Sequence, residues 1–195
     1  MPMAKIDGGD ILYTVSGEGR PLVMVLPQSS GPVGVAPFID TLSQDFMVVQ
    51  YDQRGTGQSP PAVTSDAMSM TGRAGEVVGL LDALDIKRAH LCCHSTGCGI
   101  GAAVASGTPD RVDGLVLTSP WAYADGHLTT MQQLRIAAAR ALDPYQYAHF
   151  NASLLFPPAY RREHEAGFER MAVDAAPQDA EQISNKAVRL PKMLR

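Results

Sequence analysis

Apolar and polar positions along the first part of the chain fall into short blocks that alternate between two periods. Leu22 to Leu26 is a continuous apolar run, and Phe46 to Tyr51 is nearly so. Such runs predict strands covered on both faces. Ala89 to Cys93 and Val112 to Thr118 predict two more strands, and Asp10 to Ser16 an early one that stops at Gly17-Glu18-Gly19. Between the runs the spacing lengthens. Val77, Leu80, Leu81 and Leu84 share one face of a helix over 69–84. Pro37 to Ser43 predicts a short helix, and 96–107 a helix rich in Ala and Gly, suited to close packing on a sheet. Strands alternating with helices predict an α/β fold whose mostly parallel sheet is flanked by helices. Ligands of such sheets bind at the C-terminal strand ends. The loops after Leu26, Tyr51, Cys93 and Thr118 therefore carry the chemistry.

The pattern changes after Tyr123. Leu128, Met131, Leu134, Ala138 and Leu142 fit a helix stopped by Asp143-Pro144. An aromatic-rich helix over 145–156 ends at Pro157-Pro158, and helical stretches over 159–173 and 179–190 follow. The chain thus divides into a core, 1–123, and a helical lid, 124–190. Residues 191–195 could open a next core strand.

Composition narrows the function little. The chain has 195 residues, enough for a substantial core, and a formal net charge of −4, too mild for a nucleic-acid footprint. No apolar stretch suits a signal peptide or a membrane span, so the cytoplasm is the expected location. The three cysteines, Cys92, Cys93 and Cys98, cluster too tightly for a disulfide framework and lack the histidine spacing of a metal site. They read as buried, reduced thiols.

Cys93-His94-Ser95-Thr96-Gly97 joins a predicted strand to a predicted helix, with a serine at the turn. A serine so placed is lifted off the sheet, above the free N–H groups of the helix. An ordinary N-cap serine is the plainer reading. Gly97-Cys98-Gly99-Ile100-Gly101-Ala102 imitates a dinucleotide-binding turn. Its glycines lie inside the helix, however, and no acid ends the next strand, which argues against that reading.

Upstream stands Tyr51-Asp52-Gln53-Arg54-Gly55-Thr56-Gly57-Gln58-Ser59, and before it Leu26-Pro27-Gln28-Ser29-Ser30-Gly31. These three loops, in this order, resemble the α/β-hydrolase superfamily, with RutD-type hydrolases and proline iminopeptidase-like members nearest in pattern. Leu154-Leu155-Phe156-Pro157-Pro158 also resembles the RutD-type lid. The resemblance implies an α/β-hydrolase fold with Ser95 as nucleophile. It implies an oxyanion hole made by the Thr96 N–H and a second N–H from the loop after Leu26. Pro27 has no N–H to give, so Ser29 is the expected donor and Gln28 the alternative. Asp52 and Arg54 are expected to hold their loop together. Cys93 stands where the Gly-x-Ser-x-Gly pattern has glycine.

The resemblance also implies an acid and a histidine in that chain order after the serine. None of the five histidines stands where that histidine belongs: His90 and His94 lie on the elbow strand, and His127, His149 and His164 lie in the lid. A lid histidine acting as base is an alternative, and Asp125 is not assigned as the acid. The expectation is that the C-terminal strands are missing, with base and acid after Arg195. A C-terminal fragment or a homo-oligomer would then complete the sheet. The implied activity is cleavage of an ester, lactone, amide or carbamate of a small molecule. No cofactor or metal is required, and no nucleic-acid or membrane partner is expected. Ser30, Trp121, Tyr123, Tyr147 and Phe150 are the expected pocket residues. The alternative is a non-catalytic ligand-binding protein of the same fold.

Overall fold

The computed structural model describes residues 2–27, 31–61 and 68–175. They form two compact units. The first comprises 1–28 and 35–123, and the second 29–34 with 124–195. The loop around Gly31 thus groups with the helices that follow Tyr123.

The first unit is built on six strands: β1 (Met3–Ala4), β2 (Ile11–Ser16), β3 (Arg20–Val25), β4 (Phe46–Tyr51), β5 (Ala89–His94) and β6 (Val112–Thr118). Their order across the sheet is β1-β2-β4-β3-β5-β6. β1 and β2 are antiparallel to their neighbours, and β4, β3, β5 and β6 run parallel. Three helices pack on this sheet: α1 (Ala36–Leu42), α2 (Met70–Ala83) and α3 (Thr96–Gly107).

The continuous apolar runs have a simple origin. Successive residues of a strand face opposite sides. On β3, Val23 and Val25 join one core with Val49, Leu91, Val77, Leu80, Leu81, Ile100 and Val104. Leu22 and Met24 join a second core with Val48 and Ile39 of α1. A central strand with cores on both faces has no polar position to spare. β6 departs from this expectation. Leu115, Val116 and Leu117 are 36%, 55% and 40% exposed. Among the described residues it pairs only with β5.

Two buried charges were hidden in the apolar pattern of α2. Arg73 and Glu76 are each 1% exposed and pair at 2.7 Å. Arg73 also donates to the Arg54 carbonyl at 3.0 Å. Arg54 in turn donates to the carbonyls of Gly9 (3.0 Å) and Asp7. A chain of cations thus ties α2 to the loop after β4 and to the turn before β2.

α2 ends with Asp85 in the left-handed region, φ 53°, while the Ile86 N–H bonds back to the Leu81 carbonyl at 2.8 Å. That is a glycine's place, because a Cβ is strained there. Asp85→Gly is expected to raise stability by about 0.5–1 kcal/mol, read as a higher denaturant midpoint at unchanged slope.

The second unit holds α4 (Gly126–Ala141), α5 (Pro144–Leu155), α6 (Pro158–Glu163) and α7 (Glu165–Ala175). The predicted helix over 159–173 is divided at His164, which caps α6. Asp125 caps α4 by accepting from the Leu128 N–H, and Asp143 forms a capping box with Gln146 on α5. Phe156, Tyr160 and Phe168 cluster, with centroids 5.0 Å apart for Phe156–Phe168 and 5.6 Å for Phe156–Tyr160. Tyr145 and His149 of α5 both reach Glu169 of α7. No helix among the described residues is long and apolar enough to cross a membrane. The predicted helix over 179–190 and the strand start at 191–195 lie outside the described residues.

Candidate active site

Ser95 occupies the turn between β5 and α3 with φ 53° and ψ −118°. A non-glycine residue in this region is strained and persists only where its surroundings enforce it. Two backbone bonds do so. The Ser95 N–H donates to the Thr118 carbonyl at 3.0 Å, and the Ser95 carbonyl accepts from the Cys98 N–H at 2.9 Å. Thr118 ends β6, and Ser119 after it is again left-handed, φ 55°, turning the chain away. Ser95 is the N-cap residue of α3 by position, yet its side chain makes no capping hydrogen bond. The plain N-cap reading fails on that point. Thr96 follows as the first helical residue, where an N–H has no carbonyl four residues back within the helix to donate to.

The small residues around the serine each answer a close approach. A Cβ at Gly97 would strike the Val25 carbonyl oxygen, so only glycine lets α3 start this near β3. A Cβ at Gly101 would strike the Cys93 sulfur. Cys93 is thus accommodated in the elbow because α3 is bare opposite it. Burial raises all three thiols: Cys93 is pushed up to about 12, and Cys92 and Cys98 move the same way. Cys98 Sγ lies 3.2 Å from the Thr118 carbonyl oxygen, which it shares with the Ser95 N–H. Thiols kept protonated in this way are packing groups, not competing nucleophiles.

The loop after β4 is closed on itself. The Asp52 carboxylate accepts from the Gln58 N–H at 2.9 Å, under Gly57 at φ 53°. Ser59 Oγ donates to the Asp52 carbonyl at 2.7 Å and accepts from the Leu12 N–H at 2.8 Å. Thr56 Oγ1 donates to the Gln53 carbonyl at 2.6 Å. Asp52 and Arg54 are thereby spent on loop structure. Gln53 is the residue that sequence reasoning passed over. It is 5% exposed, and its amide donates to the Leu26 carbonyl at 3.0 Å, bracing the start of the segment that leads to Gln28. A buried amide between Asp and Arg in a loop was the available signal.

Of the remaining sequence-predicted residues, Gln28, Ser29 and Ser30 lie outside the described residues. Trp121 is half-buried in the first unit and Tyr123 is 73% exposed. Tyr147 and Phe150 pack together on α5, centroids 6.3 Å apart. His90 packs edge-on against Phe46 on the early part of β5, and His94 is exposed. His149 pairs with Glu169 at 3.3 Å, and His164 lies against Tyr160 with centroids 4.3 Å apart. Among the described residues of the first unit no histidine is hydrogen-bonded to Ser95. Asp125 is occupied as a helix cap. No group of His, Cys, Asp and Glu among the described residues is arranged to hold a metal.

Comparison with known proteins places this geometry. The profile of the family described as alpha/beta hydrolase fold matches residues 22–194. A protein of Azorhizobium caulinodans that carries the name carbamate hydrolase RutD is 31% identical over 169 residues, 87% of this chain and 63% of its own. One of Variovorax paradoxus with the same name is 35% identical over 157 residues, 78% of this chain and 58% of its own. The chain therefore spans somewhat under two thirds of the length of these curated relatives. Among solved structures, the enol-lactonase from Burkholderia xenovorans LB400 superposes with a TM-score of 0.80 at 22% identity, covering 99% of this chain and 73% of that one. MGS-M2, an alpha/beta hydrolase enzyme from a deep-sea metagenome library, gives 0.84 at 19%, covering 99% and 71%. At these identities the structural likeness speaks for the fold alone. With the profile match over most of its length and the strained serine between β5 and α3, the chain belongs to the α/β-hydrolase fold family and resembles RutD-type proteins within it.

Proposed function

We propose that this chain carries the nucleophile and the oxyanion hole of a serine hydrolase. The observation that carries the reading is Ser95 itself: left-handed, enforced by the Thr118 carbonyl, with a side chain that caps nothing. The Ser95 Oγ attacks an acyl carbon, its proton passing to a base, and the carbonyl oxygen becomes an oxyanion. The Thr96 N–H, in the open first turn of α3, meets that charge. Ser29 supplies the second N–H, with Gln28 as the alternative. Gln53 supports this by fixing the Leu26 carbonyl just before Pro27. The leaving group departs as the tetrahedral adduct collapses, and water then releases the acyl group from Ser95.

The reading assigns Ser95 and leaves the base and acid unassigned. The substrate is a small ester, lactone, amide or carbamate. The names of the RutD relatives favour the carbamate end of that range. Trp121, Tyr123, Tyr147 and Phe150 are proposed to supply apolar contacts, and no cofactor enters the scheme.

A fluorophosphonate tests the assignment. The full-length protein is expected to form a stable adduct that peptide mapping locates on Ser95, and Ser95→Ala is expected to form none. A folded full-length protein that takes up no reagent at Ser95 would favour the non-catalytic, ligand-binding reading.

A further inference from the structure

The residues that directly follow the proposed oxyanion donors are built into the second unit by two reciprocal close approaches. Gly31, left-handed at φ 75°, lies against the ring of Phe156: a Cβ placed there would stand 2.8 Å from both Cε1 and Cζ. Gly167, in the first turn of α7, receives Pro32: a Cβ there would stand 2.6 Å from Pro32 Cβ. Loop and helices thus each offer a glycine to the other's ring. Phe156 is itself wedged, edge-on to Phe168 and stacked on Tyr160, and Phe168 is buried. The Gly34 N–H closes the segment by donating to the Gly31 carbonyl at 3.1 Å. Glycine inside a helix weakens it, so Gly167 is understood through the room it leaves for Pro32.

We propose that the second unit positions the oxyanion loop through this interlock, with Phe156 and Gly167 as positioning residues that act on Gln28 and Ser29 by way of Gly31 and Pro32. This deepens the hydrolase reading and rests on it for the role of those donors. The physical case is that of a short span between two anchors. At one end the Gln53 amide fixes the Leu26 carbonyl at 3.0 Å. At the other the interlock fixes Gly31. Four residues, 27–30, lie between. Each brings only two soft dihedrals, and the ring of Pro27 locks one of its own. So short a span has little freedom in which to absorb a shift of Gly31, and passes it on to the N–H groups it carries. A donor must meet the oxyanion at hydrogen-bond distance, so a shift of about 1 Å is enough to cost rate.

Hydrogen exchange and fluorophosphonate capture on the full-length protein test this. Gly167→Ala drives a methyl group into Pro32. It is expected to speed amide exchange at 31–34 about tenfold and to leave exchange in β5 and α3 unchanged. It is also expected to slow the maximal capture rate at Ser95 about tenfold, with the reagent concentration at half-maximal rate unchanged. Phe156→Leu, which withdraws the ring from Gly31 without adding bulk, is expected to move both readings the same way, several-fold. Gly126→Ala, in the same unit, is the control, because a Cβ there meets nothing within 4 Å. A role in stability alone would lower the unfolding midpoint and leave the folded variants capturing at the native rate. That result would overturn the proposal, as would unchanged exchange at 31–34 in both folded variants. The two readings separate. A native protein that takes up no fluorophosphonate, yet whose exchange at 31–34 responds to Gly167→Ala, removes the hydrolase and keeps the interlock as the anchor of this loop. Capture at Ser95 without any exchange response does the reverse.

Discussion

Gly97→Ala is expected to abolish fluorophosphonate capture at Ser95 and to lower stability by about 1–3 kcal/mol, the usual cost of overpacking. The added Cβ would meet the carbonyl oxygen of Val25 and stand 2.7 Å from its carbonyl carbon. Both are backbone atoms of β3, which is hydrogen-bonded to β4 on one side and β5 on the other. The strand therefore has no room to yield, and α3 must move instead. Its first turn carries Ser95 and Thr96, so the shift falls on the nucleophile and on its oxyanion donor together. Misplacement by about 1 Å is enough to cost two orders of magnitude in a positioned reaction. Gly107, at the other end of the same helix, is the control. A Cβ there meets nothing within 4 Å. Gly107→Ala should leave capture unchanged and stability equal or slightly higher. Equal capture rates for the two variants would remove the close approach of α3 to β3 as the reason for glycine at 97.

The elbow was readable because several independent local constraints meet in it. Glycine at 97, a helix of small residues and a preceding apolar strand each leave a mark in sequence. The strand over 112–118 and the helix over 96–107 match the observed bounds for the same reason. Cys93 read as a departure from pattern, and only the structure shows its compensation, since the bare face at Gly101 receives the sulfur. β1 left no signal, because two residues cannot show a period. The antiparallel run of β2 is equally silent, since direction comes from pairing and not from pattern. Gln53 and Ser119 escaped because their roles depend on what their backbone and side chain meet across the sheet. The exposure of β6 escaped too: apolar content reports that a strand is suited to burial, not that it is covered.

Arg73→Met is the second large effect, with an expected loss of about 3–5 kcal/mol near neutral pH. Pairing hides two charges inside α2, and removing one partner strands the other. Glu76 would be left a carboxylate with no counter-ion at 2.7 Å, in a site where it is 1% exposed. The Arg54 carbonyl would also lose its donor, loosening the loop that Asp52 and Ser59 close. The loss carries a pH signature whose sign follows from Glu76. Burial raises this carboxyl above its ordinary 4.5, against the opposing pull of Arg73. A raised acid binds more protons folded than unfolded. Its contribution to stability therefore falls as pH rises from the unfolded value through the folded one. Without Arg73 the folded value climbs further and the window widens toward neutrality. The deficit of Arg73→Met relative to the native chain should thus be smallest near pH 4.5 and grow steadily above it. Arg73→Met/Glu76→Gln carries no stranded charge, and should recover most of the loss and flatten that slope. Denaturant unfolding of the three chains from pH 4.5 to pH 8 measures both. A deficit that is the same at every pH, or a double variant no more stable than Arg73→Met, would show that Arg73 acts through the Arg54 carbonyl rather than through the buried carboxylate.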